Sequence, residues 1–108
     1  MGSPTQRSLK LLRDRGYMAE VVERTIPKTF IKKDLFGVID IIGVSQTGSI
    51  IAVQTTSASN LAARVKKCEE SDILLLWRGG GHQFECHGWA KKGAAGARKL
   101  WQVNVREL

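Results

Sequence analysis

The residue whose chemistry stands out is Asp40, which interrupts the apolar run Val38, Ile39, Ile41, Ile42 and Val44. An ionised carboxylate in so oily a segment is costly unless it meets a cation, a metal or several hydrogen-bond donors. A second apolar segment, Ile50 to Val53, ends in Gln54-Thr55-Thr56. Gln54 and Thr56 share one face of a strand there, because strand side chains alternate. Gln46-Thr47-Gly48 lies between the two segments and signals a hairpin, which lets Asp40 and Gln54 approach each other across the ladder. A carboxylate oxygen and an amide oxygen, with the Thr56 hydroxyl alongside, suit a hard divalent cation. The other reading of the same residues is structural: Asp40 closes a salt bridge or caps a neighbouring backbone group.

The elements that must hold these residues follow from periodicity. Thr5 to Arg15 carries Leu9, Leu11 and Leu12 at helical spacing, and Gly16 is a natural stop. Met18 to Thr25 predicts a short strand, and Pro27 opens a basic turn leading to Asp34. Gly37 to Val44 is rich in β-branched residues and predicts a strong strand, with Ile50 to Thr56 returning beside it. Ser57 is a suitable N-cap for a helix to about Cys68, with Leu61, Val65 and Cys68 as its apolar stripe. Asn60, Arg64 and Lys67 share another face of that helix. Asp72 to Trp77 reads as a buried strand, Phe84 to Trp89 and Leu100 to Val105 as further strands, and Lys91 to Lys99 as a loop. The class is α/β with a mixed sheet and at least one crossover helix. Residues 1–4 are expected to be a tag remnant or a disordered N-terminus outside the fold, and 5–108 to form one domain.

The 108 residues, with 43% apolar and 25% charged side chains, have ordinary globular composition, which argues against a disordered chain. Seventeen Lys and Arg oppose ten Asp and Glu, for a net charge of +7 with histidines neutral, so the expected partners are acidic or carry phosphate. Three stretches carry cations without acids: Arg24 to Lys33, Ile41 to Cys68 and Lys91 to Arg106. Any one alone reads as a solvated face. Together, beside a candidate metal site, they point to nucleic acid, with Lys32, Lys33, Asn60, Arg64, Lys67, Lys91 and Lys92 as contacts. Trp89 and Trp101 could stack on bases, although the parity of Trp101 with Val103 and Val105 favours a core position.

Other chemistries fall away. No apolar run approaches the roughly 20 residues that a bilayer requires, and Met1 to Tyr17 lacks the apolar centre of a secretory signal. A soluble, cytoplasmic protein is expected. Cys68 and Cys86 are 18 apart and form no Cys-x-x-Cys pair. His82, Cys86 and His87 lack a second zinc-ligand pair, and Cys86 and His87 point to opposite strand faces. Gly79-Gly80-Gly81 lacks the ending of a phosphate loop.

An Asp in an apolar strand, a hairpin, a second apolar strand ending in a polar triplet and then a basic helix resembles the PD-(D/E)XK nuclease superfamily. The segments Lys33 to Asp40, Val53 to Ser57 and Asn60 to Lys67 are similar to small phage and bacterial proteins of that superfamily; archaeal Holliday-junction resolvases are its nearest small single-domain members. The resemblance implies a restriction-endonuclease-like αβββαβ core with a central mixed sheet from about Thr5 to Trp77, followed by extra C-terminal strands. It puts Asp40 at the motif aspartate, Gln54 at the (D/E) position and Thr56 at the lysine position. It further implies a metal-dependent DNA endonuclease, structure-selective in kind, working as a homodimer in a bacterial or phage-infected cell. Its Mg²⁺ or Mn²⁺ would be held by Asp40 with Gln54 and one of Glu23 or Asp34. The alternative is a catalytically degenerate DNA-binding protein on the same fold, because Gln54 is neutral and Thr56 carries no ammonium. Arg7 and Ser8 occupy the stretch of the first helix where many resolvases carry an acid; Glu20, Glu23 and Asp34 are the substitutes. Lys33, Arg64 and Lys67 are the cations that could take the lysine role.

Overall fold

The computed structural model describes residues 2–108. Helix α1 (Pro4–Asp14) leads to β1 (Met18–Val21), a small hairpin of β2 (Arg24–Thr25) and β3 (Lys32–Lys33), and the pair β4 (Ile41–Val44) and β5 (Ile50–Ser57). A 3₁₀ turn (Ala58–Asn60) enters α2 (Leu61–Glu69), then come α3 (Asp72–Gly79), β6 (Gln83–Lys92) and β7 (Leu100–Glu107). The protein is mixed α/β, with a five-stranded sheet in the order β1-β4-β5-β6-β7. All its neighbours are antiparallel except β5 and β6, whose parallel pairing requires the α2–α3 crossover.

The inner strands of the sheet are covered on both faces. Leu9 and Leu12 of α1 pack on Ile41, Ile51 and Val53, while Cys68 and Leu74 from α2 and α3 pack on Ala52 and Phe84 with Val38 and Ile39. Strand β5 is central and buried on both faces from Ile51 to Thr56, which fits its near-continuous apolar sequence. Helix α1 begins earlier than the sequence indicates: Pro4 is its first residue, and Ser3 Oγ accepts from the Gln6 amide at 3.2 Å as the N-cap. Ser3 and Pro4 are therefore ordered as the start of α1, and Met1 lies outside the described residues.

Three expected strands change. Met18 to Thr25 breaks after Val21 into β1 and β2, which lie in different sheets, because the Val22 and Glu23 amides both turn to the Asp40 carbonyl. Gly37 to Val44 yields only β4, because Phe36 (φ +53°) and Gly37 (φ +78°) turn the chain in the left-handed region. Val38 and Ile39 are still buried, but from that turn. Asp72 to Trp77 is a helix, not a strand. Its leucines favour helix over the pleated conformation, Ser71 is extended at the N-cap position, and Asp72 sits in the first turn. Leu74 is buried, while Leu75 and Leu76 face solvent at 80% and 72% exposure. The crossover thus runs through two helices, and the strand following it is β6. A single strand, β7, lies beyond. The Lys91 to Lys99 loop is shorter too, since β6 extends to Lys92. Trp101, expected in the core, is 45% exposed on β7, with the Arg7 guanidinium 3.4 Å from its ring centroid.

A buried polar chain ties α1 to β6. Trp89 Nε1 donates to Ser8 Oγ, Ser8 Oγ bonds His87 Nδ1, and His87 Nε2 bonds Glu85 Oε1, each at 2.8 Å. Arg15 grips both oxygens of Glu85, at 2.9 and 3.1 Å. Burial pushes the Glu85 carboxyl up, but the hydrogen bonds from His87 and Arg15 outweigh it and hold it at about 2. Gly88, the next residue but two, lets the turn before α2 sit directly on β6. A Cβ there would lie 3.0 Å from Leu61 Cβ and 3.1 Å from the Ala58 backbone.

Two outcomes follow. Glu85 has a folded pKa below its ordinary 4.5, so its stabilisation is complete above that pH and is lost as pH falls through about 2. Glu85→Gln, which cannot titrate, is expected to cost about 3 kcal/mol at pH 7, with the difference from wild type shrinking below pH 4.5 in urea titrations. Gly88→Ala is expected to cost about 1–3 kcal/mol by overpacking, read in the same titrations.

Candidate acidic cleft

The hairpin of β4 and β5 brings Asp40 opposite Gln54, one step beyond the Ile41–Val53 pair. Asp40 continues the ladder on both sides: its amide donates to the Val53 carbonyl at 2.9 Å and its carbonyl accepts from the Val22 amide at 2.8 Å. Its side chain is almost wholly buried. Oδ2 accepts from Gln54 Nε2 at 2.5 Å, the Thr55 amide at 2.7 Å and Thr55 Oγ1 at 3.1 Å. Oδ1 receives none of these. Of the two structural roles open in the sequence, backbone capping is therefore met through Thr55, whereas no ion pair reaches Asp40 among the described residues.

What surrounds the carboxylate is more acid. Oxygens of Glu23, Asp34 and Asp40 all lie within 4.8 Å of one another. Glu23 follows β1, and Asp34 follows β3, so the small β2–β3 hairpin holds one acid at each foot. Desolvation, then the hydrogen bond and negative charge of Asp40, push the Asp34 carboxyl up to about 6 against the pull of Lys67. Burial also raises Asp40, helped by the charge of Glu23 and opposed by hydrogen bonds from Asp34 and Thr55. Three carboxyls this close repel one another when ionised, and a cation or shared protons relieve it. Gln54 adds a second feature. Its Oε1 is buried without a hydrogen-bond partner, a rare and costly state for an amide oxygen. A half turn of the amide would exchange its N–H for that oxygen beside Asp40. Three carboxylates and a spare amide oxygen are the oxygen-rich donor set of a hard divalent cation.

The acids line a cleft of about 460 Å³ with Thr55, Thr56, Ser57, Asn60 and the cations Lys32, Arg64 and Lys67. Gln54 stands behind Asp40 rather than on the wall. Lys32 Nζ is 3.9 Å from Glu23 and otherwise largely exposed. The arrangement is an acidic floor with a basic rim. A second cleft, about 520 Å³, contains Arg15, Arg78, His82 and Glu85, but Glu85 is already bonded to Arg15, and no acid cluster forms there among the described residues.

Most of the sequence-derived candidates thus converge: Glu23, Asp34, Asp40, Gln54, Thr56, Lys32, Asn60, Arg64 and Lys67. Lys33 does not line the cleft but a shallow hollow with Arg24 and Phe36, and Lys91 and Lys92 pair with Trp101 and Leu100 at the far end of β6. Glu20 is exposed on β1 and outside the acid cluster. The first helix meets the cleft through Thr5, whose Oγ1 lies 2.9 Å from Thr55 Oγ1. Arg7 and Ser8 are engaged elsewhere, with Trp101 and His87. Thr5 and Thr55 escaped the sequence reading because strand alternation singles out positions 54 and 56, whereas Thr55 acts through its backbone amide as well as its hydroxyl. Cys86 packs against α2 while His87 bonds Ser8 of α1, so the His82, Cys86 and His87 set is split as the alternation requires.

The raised Asp34 carboxyl has a measurable sign. Its folded pKa, about 6 against 3.8, means that the folded protein holds the extra proton, so this group favours folding below pH 3.8 and opposes it as pH rises through about 6. Asp34→Asn is expected to stabilise the protein at pH 7 by about 1–2 kcal/mol after allowance for solvent screening. The gain is expected to vanish near the acid end of that window in urea titrations. Protein-family models, curated proteins and solved structures give no match to this chain.

Proposed function

We propose that the chain is a divalent-metal-dependent phosphodiesterase that acts on DNA, an endonuclease of the PD-(D/E)XK type. The observation that carries this reading is the three-carboxyl cluster beside a partnerless buried amide oxygen, ringed by Lys32, Arg64 and Lys67. The element order supports it as well: α1, β1, β4, β5, the crossover helices and β6 follow the αβββαβ succession of that superfamily, with the β2–β3 hairpin inserted and β7 added. No helix among the described residues is long and apolar enough to cross a membrane.

Asp40, Asp34 and Glu23 would hold the cation, with Gln54 Oε1 completing the set. A divalent ion held by these residues would polarise a phosphate oxygen and lower the pKa of a water. The neutral Gln54 costs a charge at the expected acidic position, and Glu23 and Asp34 together restore it. Arg64 and Lys67 bind the phosphate being cut, and Lys32 the next one along, by charge and not by base identity. Thr56 orients the attacking water through its hydroxyl. No ammonium stands at Thr56, so Lys67, whose charge already reaches Asp34, takes the part of stabilising the developing negative charge. Symmetric duplexes or junctions would be met by a pair of chains.

A second reading, a DNA-binding protein without hydrolysis, is favoured by one observation: Gln54 turns its N–H, not its oxygen, toward Asp40. Supercoiled plasmid and a four-way junction, incubated with Mg²⁺ or Mn²⁺, separate the two. Cleavage by the wild type and a loss of about 100-fold or more in Asp40→Asn, which keeps an acceptor for Thr55, is the expected result. Undiminished cleavage in that variant removes Asp40 from the chemistry, and retention of DNA without cleavage in either metal selects the second reading.

A further inference from the structure

The β2–β3 hairpin presents apolar surface where the chain has most reason to avoid it. Phe30 is fully exposed at its tip, and Ile31 beside it is 61% exposed. The tip is nevertheless held firmly. The Ile26 amide donates to the Ile31 carbonyl at 2.8 Å, the Thr29 hydroxyl donates to the Ile26 carbonyl at 2.8 Å, and the Ile31 amide donates to Thr29 Oγ1 at 3.2 Å. Lys28 accepts a left-handed φ of +64° to close the turn, a conformation that costs a non-glycine residue free energy. The hairpin therefore spends stability on a defined backbone turn that carries an aromatic ring into solvent. Arg24, Lys28, Lys32 and Lys33 flank it along the chain, and no acid occurs from Arg24 to Lys33. Its two feet are Glu23 and Asp34, both members of the acidic cluster.

We propose that this hairpin is a wedge: Phe30 stacks into a nucleic acid whose backbone crosses the acidic cleft, and the favoured substrates are those with an easily unstacked base step. The inference rests on the reading of the cleft as a phosphodiester site and adds the class of DNA that it selects. The ring supplies a face on which any base can stack. The flanking cations neutralise the phosphates on either side of the opened step. Unstacking costs a few kcal/mol per step in continuous duplex and least at a mismatch or junction, so the wedge converts that difference into selectivity. Because wedge and acids share one short element, the opened step is held next to the phosphate to be cut.

The test uses fluorescein-labelled duplexes with and without a central mismatch, carrying 2-aminopurine beside it. The wild type is expected to bind the mismatched duplex more tightly and to brighten the 2-aminopurine. Phe30→Ala is expected to lose about tenfold in affinity for that duplex, and the brightening, with the salt dependence of binding unchanged. Phe30→Trp is expected to restore both, and Lys28→Ala to reduce the salt slope by about one while sparing the brightening. Phe30 makes no core contact, so folding is controlled by an unchanged urea midpoint. Identical binding and fluorescence in Phe30→Ala, with cleavage still lost in Asp40→Asn, overturns the wedge alone. Failure of the wild type to retain either duplex overturns both readings. Sedimentation with phosphatidylserine vesicles that depends on Phe30, without any Phe30 effect on DNA, overturns the wedge in favour of a membrane surface.

Discussion

A carboxyl group placed between the two middle strands of a sheet has to be solvated by something, and most of the architecture around Asp40 answers that need. The hairpin register puts Gln54 across from it, the next residue offers an amide and a hydroxyl, and three donors converge on one oxygen. In the interior each such bond is stronger than in water, and each missing one is more costly. The same low polarity makes Asp34, gathered here with Glu23, expensive to ionise. A site that served stability alone would not gather them. Their accumulation beside an orphaned amide oxygen costs folding free energy that nothing within the chain returns.

The other buried acid shows what a purely structural solution looks like. Glu85 is also in the sheet, but Arg15 and His87 neutralise and orient it within the chain, and the bond network runs on through Ser8 to Trp89. Every polar atom in it has a partner. It fastens α1 to β6 and fixes where the first turn of that helix lies, and so where Thr5 meets Thr55 over the cleft. One acid is closed by the protein itself, and the other is left with open valences toward solvent.

Much of this was legible in the residues. Asp40 stood out because a charge in an apolar run demands a reason, and the hairpin signal at Thr47-Gly48 was enough to place Gln54 across from it. The helical stripe of Leu61, Val65 and Cys68 likewise placed Asn60, Arg64 and Lys67 together. Less visible was the pairing of Glu23 with Asp34, since it depends on a two-residue hairpin whose strands are too short for any periodicity. The run Ile73 to Trp77 misled because a short apolar stretch has no period of its own, and its leucines, not β-branched residues, were the cue to a helix. Thr55 was hidden because alternation describes side chains, while its main contribution comes from the backbone. Trp101 matched its strand neighbours in parity, yet β7 is too exposed to possess an inside.

The two borders of the sheet are unequal. On one side β1 runs for only four residues, while β7 extends for eight, exposed along nearly its whole length and paired only to β6. Its outer row of amides and carbonyls is an open template for another extended chain. Gln102, Asn104 and Arg106 alternate with Trp101, Val103 and Val105 along it, so one side is polar and the other greasy. A strand added at the β7 margin would be separated by β6 and β7 from the β4–β5 pair that carries Asp40 and Gln54, and would widen the sheet on that side.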